Sequence, residues 1–468
     1  MSEGLKYFII LFNNIVLIYF LVIAAIYIFL NVLALFKITT YRKSFENIDF
    51  EKIFRIGNHI PVSIVIPAYN EAKGIVQSIK SLLSLEYPEY QLIVVNDGSK
   101  DKTLDIIIEN FGFRKVFFVP YYSIKCEKIN GVYLSSKFPN MVLIDKENGG
   151  KADAQNAGIN IAKYPLITII DADSILERDC LLKITRPFLQ NKEVVAVGGT
   201  IRIANGCTIK DGFIKKIGLS ESWFARLQVV EYLRAFLFGR TGWDVINGTM
   251  IISGAFGCFS RKALIKVGGY KAGSLGEDME LVLRMHKKLR KENPKTRISF
   301  ISDPVCWTET PETYKVLKSQ RVRWQKGTLE NVLKYKWMFF NFRYGVMGLF
   351  AFPYYVLFET IGPVVEFMGY IVFIISIIMN IVLFKFVLAF LFAAILYGTV
   401  LSTMSVILEE LSFKKYPKLK DLLILVFAGF TENFWYRQLN TYWRVIGMIG
   451  YTFGKKSWGK MEKKGFGD

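Results

Sequence analysis

The sequence predicts a mostly parallel α/β sheet domain carried between apolar helices. Three observations carry that expectation. Five short β-branched runs lie between about residues 60 and 330, each followed by a polar turn and a helical stretch; an unbroken apolar run sits near the amino terminus; and two more follow residue 343. Strands alternating with helices imply crossover connections, which set parallel strands side by side and leave ligand sites at their carboxyl ends. The expected organisation is a transmembrane helix in 1–43, a cytoplasmic α/β domain in 44–330, and interfacial and transmembrane helices with a basic cytoplasmic tail in 331–468.

Composition sets the class. Of 468 residues, 52% are hydrophobic and 15% aromatic, more apolar than an ordinary soluble enzyme. Sixty Lys and Arg against forty Asp and Glu leave a net charge of +20, an excess that marks the cytoplasmic face of a membrane protein. The rival partner, nucleic acid, is set aside because no zinc-finger or RNP pattern is present. The five cysteines have no CxxC spacing, which suits a reducing compartment and argues against structural zinc. His59 and His286 are too few for a histidine-based metal centre.

Taken in order, residues 8–36, "FIILFNNIVLIYFLVIAAIYIFLNVLALF", are apolar apart from three Asn. About 20 residues cross the hydrocarbon core. The run is too long for a signal peptide and lacks a small-residue cleavage site. Lys37, Arg42 and Lys43 follow it and only Lys6 precedes it, which puts the amino terminus outside. The runs "VSIVIP", "QLIVVND", "MVLID", "LITIID" and "VVAVGG" read as buried strands, whereas 120–138 fits the rhythm poorly and reads as a surface excursion. In 246–286, Gly273, Ser274 and Gly276 break the chain so that Glu277 and Asp278 open a helix, where free amides and the helix dipole favour carboxylates. Residues 363–383 and 386–408 read as spans joined by a short turn. Residues 345–361 are aromatic and interrupted by prolines, an interfacial helix; 421–453, with Glu432, Arg437 and Arg444, reads as a broken or re-entrant pair.

Four clusters fall at the expected strand ends and loops. "VNDGSKD" gives Asp97, "IIDADS" gives Asp171 and Asp173, "GED" gives Glu277 and Asp278, and "QRVRW" gives Gln320, Arg323 and Trp324. Two carboxylates in a D-x-D after an apolar strand are hard oxygen ligands suited to magnesium or manganese, which also take oxygens from a substrate diphosphate. Singly, each cluster has a plain structural explanation: a turn, a helix cap, an interfacial helix end. All four in this order within one α/β domain do not.

These stretches resemble the processive branch of the family-two inverting glycosyltransferases, which includes the cellulose, chitin, hyaluronan and poly-N-acetylglucosamine synthases. The likeness runs from "VSIVIPAYNEAKGI" through "NGGKADAQNAGIN", "DADS", "SGAFGCF" and "GEDMEL" to "QRVRWQKG", about residues 62–327. The Q-x-x-R-W pattern, met in full after the acidic motif, is its most specific part. The resemblance implies a GT-A fold, a UDP-sugar donor and a Mg2+ or Mn2+ ion.

Carried over position by position, Ala68, Tyr69 and Glu71 would line the uridine pocket, and Asp97 would accept from the uracil or its neighbourhood. Lys151 would approach the nucleotide, Asp171 would share the donor site, and Asp173 would hold the metal on the diphosphate. Asp278 would be the general base, and Arg323 would act with the metal on the leaving UDP. Trp324 would stack on the acceptor's terminal sugar, with Gln320 beside the phosphates or acceptor; Glu277, Ser253 and Gly254 would shape the acceptor's path. Three departures stand out: Asn96 replaces a first Asp, "GED" replaces Thr-Glu-Asp, and "SGAFG" differs from the cellulose-synthase Cys-Gly pattern.

The function implied is a multi-pass membrane synthase that extends a β-linked polysaccharide and passes it through its own spans, with room for accessory subunits and no nucleic-acid partner. The alternative is a lipid glycosyltransferase adding one sugar to a membrane acceptor. A non-enzymatic channel or scaffold would not need both D-x-D and an intact acidic motif.

Overall fold

The computed structural model describes residues 3–45, 59–118, 122–210, 212–381, 384–392, 395, 397–416 and 418–454. Twelve strands are formed among them: β1 Val62–Ala68, β2 Tyr90–Asp97, β3 Phe113–Val116, β4 Ile129–Ser135, β5 Met141–Lys146, β6 Leu166–Ile170, β7 Ile175–Leu176, β8 Val194–Ile203, β9 Thr208–Lys210, β10 Phe213–Lys216, β11 Phe256–Ser260 and β12 Arg297–Thr308. Ten build one sheet in the order β3-β4-β5-β2-β1-β6-β11-β8-β12-β7, and β9 and β10 form a separate ribbon.

The centre of the sheet is parallel: β1 pairs with β2 and β6, and β2 with β5. All five expected strands are present, as β1, β2, β5, β6 and β8. Their β-branched residues are buried on both faces because helices cover both. Ile64, Ile66, Leu92 and Val94 join one apolar core with Ile79 and Leu82 of the helix Ile75–Leu83. The intervening Val65, Ile93, Val95 and Ile169 join a second with Ala154 and Ala157 of the helix Lys151–Ile161 and with Leu281, Val282 and Met285 of the helix Glu277–Glu292. The register brings Ala68 opposite Asn96 and Asp97 opposite Lys146, so the carboxyl ends of the parallel strands finish together. This is where the chemistry collects.

Seven strands lie beyond the five expected, β4, β11 and β12 among them. The excursion expected over 120–138 holds β4, antiparallel between β3 and β5. Within the glycine-rich run, β11 is inserted antiparallel between β6 and β8. The long β12 pairs parallel with β8, with register shifts around Pro304 where an amide donor is missing.

Among the described residues one helix is long and apolar enough to cross a membrane, Glu3–Thr40; a second crossing is formed if the bent pair Met347–Thr360 and Gly362–Ile378, which meet at 43°, counts as one. The span expected at 386–408 falls partly on residues outside those described. Residues 347–360 are helical with π-type turns, and 421–453 is a broken pair, Leu419–Thr431 and Tyr436–Thr452. The charges in that pair have partners: Glu432 holds Arg234 and Ser402, Arg437 donates to Glu366 at 2.9 Å, and Arg444 donates to Gln325 at 2.8 Å. Lys37, just past the apolar run, pairs with Asp244 and donates to the Phe300 carbonyl at 2.7 Å, seating the first helix on the sheet domain.

Candidate active site

A cleft of about 1310 Å³ opens at the carboxyl ends of β1, β2 and β6. It is large enough for a nucleotide sugar and a second substrate together. Its walls include the turn after β1, the loop after β6, the helical stretch through 231–240, the start of the helix Glu277–Glu292, the loop after β12 and the helix Tyr314–Lys334.

At one end stand Ala68, Tyr69 and Glu71. Asn70 adopts φ of 56°, a left-handed conformation that Asn tolerates, and stitches this turn to the next. Its amide donates to Ser99 Oγ at 3.1 Å, and its Oδ1 accepts from the Lys100 amide at 2.8 Å. Asp101 accepts from the Ala72 amide and from Thr103; burial pushes its carboxyl up, but these donors win and hold it below the usual range. Sequence reading missed both residues, although they lie in the quoted "AYNE" and "DGSKD" motifs.

Asp97 lines the cleft, yet its carboxylate is already engaged. Oδ1 accepts from Lys146 Nζ at 2.6 Å and the Gly149 amide at 3.0 Å; Oδ2 accepts from the Gly150 amide at 2.8 Å and Asn148 Nδ2 at 3.2 Å. Four donors fill about the four lone-pair positions of a carboxylate. The expected acceptor for a uracil is therefore a residue that shapes the 146–150 loop. Beneath it, fully buried Lys146 also pairs with Asp153 at 2.7 Å. Asn96, the departure from a first Asp, is buried too and donates to Asp145 at 2.7 Å.

The loop delivers Lys151 to the middle of the cleft as the first residue of its helix. Lys151 pairs with Asp171 and stands 3.9 Å from Glu277 Oε1. Burial alone would lower its pKa, but Asp171 and Glu277 raise it above the ordinary lysine range. Gly254 lies against this cluster: a Cβ there would come 3.1 Å from Lys151 Nζ, so the ammonium would have to shift by a few tenths of an ångström. Ser253 and Asp173 also face the cleft.

Glu277 and Asp278 open their helix as expected. Buried Glu277 is pushed up to about 7 by desolvation; Lys151 pulls it down and Asp278 pushes it further up. Asp278, half-buried in the cleft wall, accepts from the Met279 amide at 2.8 Å. The Gly at the first place of "GED" has a steric cause. Gly276 abuts Gly327, and a Cβ on Gly276 would come within 3.0 Å of Asn331 Nδ2 and 3.3 Å of Gly327 Cα. Asn331 Nδ2 donates to the Gly276 carbonyl at 2.8 Å, while Glu330 accepts from Ser274 and the Leu275 amide. The helix bearing "QRVRW" thereby clamps the acidic loop.

From the same helix Gln320, Arg323 and Trp324 reach the cleft. Burial lowers the pKa of Arg323 from the ordinary arginine value, against the pull of Glu277, Asp171 and Asp278. Trp324 is 41% exposed, and the guanidinium of Arg321 lies 4.6 Å from its ring centroid. Arg321 in turn donates to Glu231 at 2.7 Å. All fourteen residues singled out from the sequence line this one cleft.

Residues 59–327, more than half of the chain, match the family described as Glycosyltransferase like family 2. The chain belongs to that family. Its sheet is the mostly parallel, mixed sheet of the GT-A fold. Residues 270–464 also match a chitin synthase family. Among curated relatives, a poly-beta-1,6-N-acetyl-D-glucosamine synthase of Staphylococcus epidermidis is 29% identical over 276 residues, covering 59% of this chain and 56% of that one. One of Staphylococcus aureus is 28% identical over 302 residues, covering 64% and 61%. The matches thus span less than two thirds of those relatives. A solved mannosyltransferase of Pyrobaculum calidifontis, in complex with GDP-Man and Mn2+, aligns with a TM-score of 0.48 at 16% identity, over 87% of this chain and 99% of that one.

Proposed function

We propose that this glycosyltransferase is a membrane-integrated, inverting enzyme that extends a β-linked polysaccharide from a UDP-sugar and passes the product through its own helices. The observation that carries the proposal is the convergence on one cleft of Asp171 and Asp173, of Glu277 and Asp278, and of the whole Q-x-x-R-W motif. Similarity to poly-N-acetylglucosamine synthases supports N-acetylglucosamine as the donor sugar. The apolar helix Glu3–Thr40, with Tyr7, Ile18 and Phe36 exposed along it, supports insertion in a bilayer, with the sheet domain on the cytoplasmic side. The domain limits 1–43, 44–330 and 331–468 follow from that placement.

In this reading Tyr69 and its turn hold the uridine, and Lys151 and Arg323 offset the charge of the diphosphate. A Mg2+ or Mn2+ ion fits the residues present: Asp173 and Asp171 supply hard carboxylate oxygens. Among the described residues no group of three or more His, Cys, Asp or Glu side chains is poised around one point, so a bound ion would draw its remaining ligands from the substrate. Asp173 would hold it, and its contribution is charge neutralisation at the leaving diphosphate. Asp278 takes the proton of the acceptor hydroxyl as that oxygen bonds to the anomeric carbon; the carbon–oxygen bond to the diphosphate breaks and UDP leaves.

The test is product sizing. Purified enzyme in lipid is given labelled UDP-N-acetylglucosamine and UDP-glucose separately, and long polymer is expected from the first. A single sugar on extractable lipid, from either donor, would refute chain extension and favour the glycolipid alternative.

A further inference from the structure

We propose that Arg240 is a second contact for the growing glycan, donating hydrogen bonds to neutral oxygens of the acceptor, hydroxyl or N-acyl carbonyl, on the wall of the cleft next to the apolar helices. The inference rests on the polymer reading above and names a residue that none of the motifs contains. Arg240 closes a π-helical stretch, Arg234–Arg240, and lines the cleft. Arg240 is half-buried in the cleft wall; its Nη1 has no hydrogen-bond partner within the protein, and no carboxylate among the described residues forms an ion pair with it, so its guanidinium is uncommitted where it faces the cleft. Buried guanidinium groups are ordinarily paired, because desolvating the charge without partners is costly.

The surroundings say what is missing. The guanidinium lies 4.1 Å from the ring centroid of Phe236, and Tyr232 and Tyr355 act on it electrostatically. Asp278 acts electrostatically on it, as it does on Arg323. Tyr355 belongs to the helical stretch Tyr355–Thr360, which leads into the apolar helix Gly362–Ile378. Arg240 therefore sits where the cleft meets the apolar helices. Apolar ring faces beside a multiply donating, fixed fork suit a sugar, whose C–H faces are apolar and whose rim carries oxygen acceptors. The diphosphate is a poorer match, since Lys151 and Arg323 stand among Asp171, Glu277 and Asp278 on the donor side.

The experiment uses the full chain in lipid nanodiscs, with tetramers of β-1,6- and β-1,4-linked N-acetylglucosamine as probes. Their binding, the affinity for UDP-N-acetylglucosamine and the melting temperature are measured for wild type, Arg240→Met and Arg240→Lys. Losing hydrogen bonds from a charged donor corresponds to roughly 10- to 100-fold. Arg240→Met is expected to weaken binding of the recognised tetramer at least tenfold and UDP-N-acetylglucosamine less than twofold. Arg240→Lys should fall between the two. Ligand-free melting should be unchanged or higher in Arg240→Met, because a half-buried charge without a carboxylate partner is removed; a structural role would lower it. Tetramer binding unchanged in Arg240→Met, a parallel loss of nucleotide-sugar affinity, or a clear fall in melting temperature would each overturn the assignment alone. If wild type bound neither tetramer and glycosylated lipid only, the polymer reading would fall and the assignment with it.

Discussion

On the strand-end side of the cleft, Asp97, Lys146, Asp153 and Asp101 are bonded to one another or to backbone amides. Across the cleft, Arg240 forms no ion pair with a carboxylate among the described residues, and Trp324 leaves 41% of its surface open. The contrast separates scaffolding from seats. Saturated groups fix loops, whereas orphaned groups and open rings are the ones a moving substrate can use. In the function proposed, a polymer that advances by one unit after each addition would need broad faces and few permanent bonds at its own end. The donor, which must be held the same way every time, needs a rigid floor.

The sharpest way to break this picture is at the junction of the two regions. Asp278→Asn keeps shape and polarity but removes the proton acceptor. Transfer should fall by about 10²–10⁴-fold while UDP-sugar binding holds. Near-normal turnover would remove Asp278 from the base role and leave the contrast without a reaction at its centre.

Next comes the floor itself. Lys146→Met leaves two buried carboxylates, Asp97 and Asp153, without their shared cation. Breaking a buried pair in this way costs about 3–5 kcal/mol, read as a fall in melting temperature. Restored stability in Lys146→Met combined with Asp97→Asn and Asp153→Asn would confirm that the charge, rather than the lysine stem, is at stake. If the single variant melts with wild type, the network is ornamental and the 146–150 loop is held by something else.

A smaller effect is expected on the open side. Trp324→Ala should shorten the product and lower chain extension by roughly tenfold, or about 1.4 kcal/mol. The KM for UDP-sugar should move by less than about twofold if the ring touches only the acceptor. A large KM change would place Trp324 in the donor's seat and blur the two regions.

What the sequence made legible follows the same division. Strands buried on both faces announce themselves as β-branched runs, and β1, β2, β5, β6 and β8 were all readable. β12 was hidden by Asp303 and Pro304 in its middle, β11 by the glycines around it, and β4 by half-exposed alternation that resembles a loop. Residue types at motif positions reach the cleft because the strand register carries them there. Their partners are another matter: nothing in "VNDGS" reveals that four donors converge on Asp97, since all four come from Lys146, Asn148, Gly149 and Gly150 some fifty residues on.

The finest test concerns Glu277, where two effects oppose each other. Burial and Asp278 raise its pKa, and Lys151 at 3.9 Å lowers it; burial wins, leaving about 7 against an ordinary 4.5. Between those two values the folded chain binds more protons than the unfolded chain, so stability must fall as pH rises. The contribution is fully present below pH 4.5 and lost by the time pH passes 7. Ligand-free melting of wild type and Glu277→Gln from pH 5 to pH 8 should therefore diverge, wild type losing a few degrees relative to the variant, which has nothing to ionise there. Had the Lys151 pairing prevailed, the pKa would lie below 4.5 and wild type would instead lose ground as pH fell. Parallel curves would mean that neither effect dominates. In that case Glu277 is no different from a solvated carboxylate, and neither its burial nor Lys151 tunes the helix start.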